Sequence, residues 1–215
     1  MERETHTARL VSITPDAEKQ IVYMARVSNP SNQSNLETAP RLIKYLIKHK
    51  HWSPFEMASM QIEIETTRAI AAQILRHRSF SFQEFSQRYS SVDQLGTVGL
   101  PHLRSQDLKN KQASHDDLDP AKVDLMNKQI QQLYHSTFDY YEYLLSQGVA
   151  KECARSILPL GTPTRMYMNG TLRSWVHFLQ IRSGVETQLE HRLVANAIKD
   201  IFEEQFPTIY EAAFT

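Results

Sequence analysis

The chain has 215 residues, and its 24 acidic side chains balance 24 basic ones. That length is enough for a proper core in one domain, residues 1–215, and the even balance excludes a global field drawing the chain to nucleic acid or a membrane. The single cysteine, Cys153, excludes an internal disulfide framework and fits a reducing compartment. The start, MERETHTARL, is charged, and no apolar run approaches the roughly 18 residues of a membrane span, so the expectation is a soluble, cytoplasmic protein.

Residues 7 to 14 (TARLVSIT) alternate loosely and predict a first or edge strand. Thr14 followed by Pro15 predicts a capped helix start, with Ala17, Ile21, Met24 and Ala25 on one face and the polar run 28 to 35 ending it. Ser34 with Glu37 resembles a capping box, which opens a helix whose Leu42, Tyr45, Leu46 and His49 share a face. Trp52-Ser53-Pro54 stops it, because the residue before proline avoids the helical region.

The clearest strand is ASMQIEIET (58 to 66), with Met60, Ile62 and Ile64 on one side and Gln61, Glu63 and Glu65 on the other. That alternation predicts a sheet with one face wet or turned toward a partner or ligand. Thr66 or Thr67 then starts a helix, RAIAAQILRHR, whose C-terminal end favours cations through the helix dipole. Residues 90 to 119 are polar and predict a long excursion, either a lid or disordered chain.

Asp119 and Pro120 open a long amphipathic helix in which Val123, Met126, Ile130, Leu133, Phe138, Tyr141 and Leu145 keep helical spacing as far as Gly148. Its aromatic run YHSTFDYYEY fits core or helix-pair packing better than cofactor binding. A short helix holds Glu152, Cys153 and Arg155. TPTRMYMNG (162 to 170) predicts a strand ending at an Asn-Gly turn, Thr171 caps the helix LRSWVHFLQIR, and a last helix runs from Val185 to Phe206, closed by Pro207. The sum is an α+β fold, with helices packed on a small, mainly antiparallel sheet.

The chemistry concentrates in residues 76 to 89, RHRSFSFQEFSQRY, where Arg76, Arg78 and Arg88 stand among four serines and three phenylalanines with Glu84 the only acid. Arginine offers a planar fork of donors and stays ionised, serine adds short donors between the forks, and the rings suit a flat heterocycle. This is what a bound phosphate with an attached base requires. A solvated basic loop whose aromatics plug the core has the same composition, and both readings stand on composition alone. Arg155, Arg165, Arg173 and Arg182 form a second basic set. Arg173 and Arg182 are nine residues apart on one helix, so they point to opposite sides unless it curves, and they need not serve one ligand.

The spacing Arg76, His77, Arg78, Ser81, Ser86, Arg88, Tyr89 resembles the signature motif of the flavin-dependent thymidylate synthases. HWSPFE (51 to 56), ECARSILPL (152 to 160) and LRSWVHFLQIR (172 to 182) resemble further segments of that family, so the likeness spans most of the chain. Gln83 stands where the family usually has Asn, Ser53 where Thr is common, and Thr171-Leu172-Arg173 where Asn-Ala-Arg is common.

The resemblance implies reductive methylation of dUMP to dTMP, with 5,10-methylenetetrahydrofolate as carbon donor and NADPH-reduced FAD as hydride source. It places His51, Ser53, Arg76, His77, Arg78, Glu84, Thr171, Leu172, Arg173 and His177 at the FAD, although core packing suits His177 equally. It places Gln73, Ile74, Leu75, Arg76, Glu84, Phe85, Ser86, Gln87, Arg88, Arg155 and Arg182 at dUMP. Arg182 would be catalytic, polarising the uracil ring. A homotetramer with sites shared between subunits is also implied.

Absences agree with this picture. The six glycines form neither GxGxxG nor GxxxxGK, so a bound dinucleotide must be held by arginine and serine side chains. No histidine pair has metal-ligand spacing, so no metal is expected. Cys153 lacks the Pro-Cys-His setting of the cysteine-dependent thymidylate synthases, and hydride from a reduced flavin would replace what that thiol begins. Ser86 has only His77 as a histidine within the motif, nine residues away, and is read as a phosphate donor rather than a nucleophile. Two other readings remain, a nucleic-acid-binding module gripping a strand through RHR and the aromatics, and a helical interaction protein without ligand chemistry.

Overall fold

The alternating strand of residues 58 to 66 becomes the second of four strands in the main sheet. A computed structural model describes residues 1–215. The sheet has the order β1 (Thr7–Ile13), β2 (Ser59–Thr67), β6 (Pro163–Thr171), β3 (Ser81–Glu84), and a separate hairpin pairs β4 (Ser105–Gln106) with β5 (Ser114–His115). The amide of Thr14 reaches the carbonyl of Ser59 at 3.0 Å, that of Arg68 reaches Thr162 at 2.9 Å and that of Leu172 reaches Ala58 at 2.9 Å. Strand ends therefore meet strand starts, and the pairs β1–β2 and β2–β6 are antiparallel, as expected. The chain forms two compact units, one of Met1–His6, Glu65–Ile74 and Glu84–Met166, the other of Thr7–Ile64, Leu75–Gln83 and Tyr167–Thr215.

In the second unit, Met60, Ile62 and Ile64 are fully buried. The other side of β2 is less wet than its alternation suggests. Glu63 is only 8% exposed, and its carboxylate accepts from Arg9 Nη2 at 3.0 Å and Tyr167 Oη at 2.7 Å. Helix α6 (Leu172–Arg182) packs on α7 (Leu189–Gln205), α7 packs on β1, and α8 (Pro207–Phe214) packs on α2 (Ala39–Lys48). Pro207 closes α7 as expected but also opens α8, because proline fits the first turn of a helix. Helix α7 begins at Leu189 rather than Val185.

Two helix starts in this unit differ from expectation. Thr14 does not cap α1 (Ala17–Ala25), because its Oγ1 accepts the amide of Ser59 at 3.0 Å and so belongs to the sheet. The Ser34–Glu37 box does not form either. Asn35 Oδ1 takes the amide of Glu37, and the buried Arg26 guanidinium holds the carbonyls of Asn32 and Asn35 and the hydroxyl of Thr38, so α2 starts only at Ala39. On α2 the buried pair is Ile43 and Leu46, whereas Tyr45 and His49 are exposed and lie ring to ring at 4.3 Å.

Asn169-Gly170 makes no turn, since β6 runs through it to Thr171. A Cβ on Gly170 would lie 2.4 Å from the ring of Phe80, so the glycine is there for close approach of that ring. Phe80 in turn packs on Trp175 at 4.7 Å.

In the first unit, α3 (Arg68–Ile74) stops before the basic motif instead of carrying it; Leu75–Gln83 belongs to the second unit and holds most of β3, a strand not foreseen in the sequence. Residues 90 to 119 are not structureless. They hold a 3-10 turn at Val92–Leu95 and the β4–β5 hairpin, whose loop is tied by Asp107 accepting the amides of Lys109 and Asn110. Helix α4 (Pro120–Ser146) starts as expected, with the Asp119 carboxylate accepting the amide of Ala121. Tyr141 buries against Val92 and Ala154, the latter on α5 (Lys151–Ala154), with Phe138, Leu144 and Leu158 around them. No helix of the protein is long and apolar enough to cross a membrane.

Candidate functional site

In the second unit, Thr171 caps α6 by accepting the amide of Ser174 at 3.3 Å. The helix then turns Arg173, Ser174, His177 and Gln180 onto one face, the spacing that a period of 3.6 residues requires. These side chains, with Trp52, Glu56, Met57 and Ser79, line a cleft of about 670 Å³. His177 is exposed there, so of its two sequence readings the core one does not hold. Arg173 pairs with Glu56, and Ser174 Oγ donates to the carbonyl of Ser79 at 3.3 Å.

The opposite face of α6 carries Phe178 and Arg182. Arg182 Nε donates to His77 Nε2 at 2.9 Å, and the His77 ring stands edge-on to Phe178 at 4.9 Å. The divergence of Arg173 and Arg182 read from their spacing is therefore real. Behind His77 lies His191 of α7, fully buried with neither ring nitrogen hydrogen-bonded.

Burial, then Arg182, then neighbouring His177 and Arg76 lower the pKa of His77 from 6.5 to about 4. Burial, Arg182 and His77 lower that of His191 equally, to about 4. The unfolded chain thus takes up protons at a pH where the folded one does not. The stability these neutral rings allow is complete above pH 6.5 and is lost as the pH falls toward 4. Denaturant titration between pH 7 and 4.5 should show the second unit losing about 2–3 kcal/mol for each ring, and His191→Phe should remove that ring's share of the dependence.

Other expected cofactor residues of this unit are placed differently. His51 is exposed and groups with Tyr45 and His49 rather than with the cleft, and Ser53 is exposed beside Trp52, which does line it. The Leu172 side chain is fully buried and its amide is taken by Ala58, so it faces the core rather than a ligand. Arg76, Arg78 and Leu75 are exposed, and neither arginine has a carboxylate partner.

In the first unit, Glu84 accepts from Arg68 Nη1 at 2.5 Å and Thr164 Oγ1 at 2.9 Å. The amide of Phe85 continues the ladder to Arg165, and Ser86 turns the chain by accepting the amides of Tyr89 and Ser90. Ser86, Arg88 and Tyr89 then face Ala150, Lys151 and Glu152 across a polar depression of about 360 Å³. There Arg88 pairs with Glu152 at 3.1 Å, and Lys151 Nζ reaches the Tyr89 carbonyl at 3.2 Å. Gln87 and Ile74 are buried, Gln73 is half-buried, and Arg155 is half-buried without an ion pair.

Lys151, Arg68 and His191 were missed in the sequence. Arg68 had a signal, since a cation in the first turn opposes the helix dipole and calls for a carboxylate partner. His191 had one too, because residues 191, 194, 198 and 202 share the buried face of α7.

A family model described as thymidylate synthase complementing protein matches residues 9–208. A probable flavin-dependent thymidylate synthase of Paramecium bursaria Chlorella virus 1 is 49% identical over 96% of this chain and 98% of its own. The flavin-dependent thymidylate synthase of Synechocystis is 48% identical over 89% of this chain and 87% of its own. The chain belongs to the flavin-dependent thymidylate synthase family.

A solved structure of the UMP/dUMP methylase PolB from Streptomyces cacaoi, bound with 5-Br dUMP, superposes with a TM-score of 0.84 at 27% identity, covering 99% of this chain and 96% of that one. For a flavin-dependent thymidylate synthase the donor set fits its coenzyme. The cleft of the second unit joins an indole and a thioether to hydroxyls, an imidazole and a guanidinium, which are partners for the flat ring and polar tail of FAD. Gln83, the family's Asn position, is exposed on β3.

Proposed function

We propose that residues 1–215 act as one flavin-dependent thymidylate synthase domain that converts dUMP to dTMP. The methylene carbon comes from 5,10-methylenetetrahydrofolate and the reducing electrons from NADPH. Bound FAD supplies hydride to the pyrimidine. In the second unit, Thr171, Arg173 and His177 hold the coenzyme, with Trp52 and Met57 as apolar surface beside it, and His51, Ser53, His77 and Arg78 contribute further contacts. In the first unit, Ser86, Arg88 and Arg155 hold the nucleotide phosphate and sugar, with Gln73, Phe85 and Gln87 beside them and Glu84 oriented by Arg68. Arg76 adds a cation to the nucleotide.

Arg182 polarises the uracil. A fixed cation against the ring N–H and carbonyl stabilises the charge that makes the neighbouring carbon nucleophilic. The observation that carries this reading is that Arg76, Arg78, Arg155 and Arg182, all at motif positions of the family, have no carboxylate partner, whereas Arg68, Arg88, Arg165 and Arg173 each do. Guanidinium groups left without an anion by the protein suit an anionic ligand. We further propose a homotetramer that shares these sites, in keeping with the exposed Leu125 and Leu133 of α4.

The purified protein should be yellow and should form dTMP from dUMP only when methylenetetrahydrofolate and NADPH are both present. A colourless protein without turnover, whose affinity for DNA falls steeply with salt, would instead establish the nucleic-acid module.

A further inference from the structure

We propose that His77 is a positioning residue for Arg182, acting as a neutral imidazole whose bare Nε2 fixes the guanidinium plane. The inference rests on the catalytic role given to Arg182 above. An arginine Nε–H can only donate, so the contact at 2.9 Å requires a lone pair on His77 Nε2 and leaves its proton on Nδ1.

The ring has little freedom to turn. Phe178 stands edge-on to it at 4.9 Å, His191 at 6.3 Å and Phe80 at 6.4 Å. With Nε occupied, the two terminal nitrogens of Arg182 keep one orientation and remain for the substrate.

The charged and titratable groups around His77 are Arg182 and His177 from α6, Arg76 from its own segment and His191 from α7, and none is a carboxylate. A second proton on the ring would meet two guanidinium groups and no carboxylate, and would expel Arg182 from its acceptor. His191 strengthens this. It is fully buried, neither nitrogen is hydrogen-bonded, and in its neutral form it closes the pocket behind His77 without adding charge. Burial and the arginine hold both imidazoles well below their ordinary pKa.

The experiment compares His77→Phe, which keeps the ring packing but has no acceptor, with His77→Gln, whose amide oxygen can stand in for Nε2. Flavin absorbance, kcat and the KM for dUMP are read for each beside the unaltered protein, together with the nitrogen-15 spectrum of the His77 ring in the unaltered protein. His77→Phe should lower kcat per bound flavin by about tenfold to a hundredfold, the weight of one hydrogen bond to a charged group, with the KM for dUMP little changed. His77→Gln should recover most of that loss, and the spectrum should show Nδ1 protonated and Nε2 bare.

A kcat for His77→Phe equal to that of the unaltered protein, or a proton found on Nε2, overturns the inference. The spectrum decides even where the Phe variant does not fold. Absence of turnover in the unaltered protein is a different outcome, which removes the proposed function and leaves the ring tautomer to be read independently.

Discussion

Arg182→Ala should lose turnover by about a hundredfold to a thousandfold while the protein stays folded and yellow. The side chain makes one hydrogen bond, to His77, and no ion pair, so truncating it removes little that holds the second unit together. Losing one hydrogen bond from a half-buried charged group ordinarily costs about 1.5–3 kcal/mol, less than the stability of a typical domain. The loss should therefore fall on kcat, because an interaction that strengthens as charge develops on the uracil contributes more to the transition state than to binding.

Arg182→Lys sharpens the test. Lysine keeps the charge but not the fork, so it should recover only part of the rate and none of the contact with His77 Nε2 in its original geometry. Turnover by Arg182→Ala close to that of the unaltered protein would remove Arg182 from the chemistry. Loss of flavin alongside activity would mean that the residue supports the coenzyme rather than the substrate.

What the sequence made legible was set by period. The two-residue alternation of Met60, Ile62 and Ile64 and the helical stripe that ends at Gly148 both describe a local geometry that tertiary contacts do not overturn. Caps were less legible, because the same hydroxyl can serve a helix or a strand. Thr14 went to Ser59 and not to α1, and only the partner strand could show that. Asn169-Gly170 misled for a related reason. Glycine reads as a turn residue locally, yet here it makes room for a ring that arrives from ninety residues earlier.

The motif at 76 to 89 was legible as an anion site by its residue types, but its division was not. His77 turns to Arg182, whereas Ser86 and Arg88 turn to the depression beside Lys151. Which guanidinium groups carry a carboxylate and which do not is a property of the fold. Arg88 and Arg155 look alike in the chain, and only Arg88 is paired.

Trp175→Ala should be the most damaging single change to the second unit, costing about 3–5 kcal/mol. Trp175 is completely buried, its ring packs on Phe80 at 4.7 Å and Phe178 at 5.8 Å, and its Nε1 donates to the carbonyl of Met60 at 3.0 Å. Alanine would leave a cavity between two aromatic rings and a buried carbonyl without its donor, and both costs add. Against a total stability of roughly 5–15 kcal/mol, that is a large fraction.

The same indole sets the rotation of α6, which sends Arg173 and His177 to the cleft and Arg182 to His77. Loosening it should therefore release flavin as well as lower the denaturation midpoint, the opposite of the expectation for Arg182→Ala. Trp175→Phe separates the two contributions, since it restores most of the volume and leaves only the Met60 carbonyl unanswered, at a cost of about 1–3 kcal/mol. The check is a pair of denaturant titrations followed by tyrosine fluorescence and flavin release. If Trp175→Ala unfolds at the same midpoint as the unaltered protein and keeps its flavin, then α6 is held in place by contacts other than this ring.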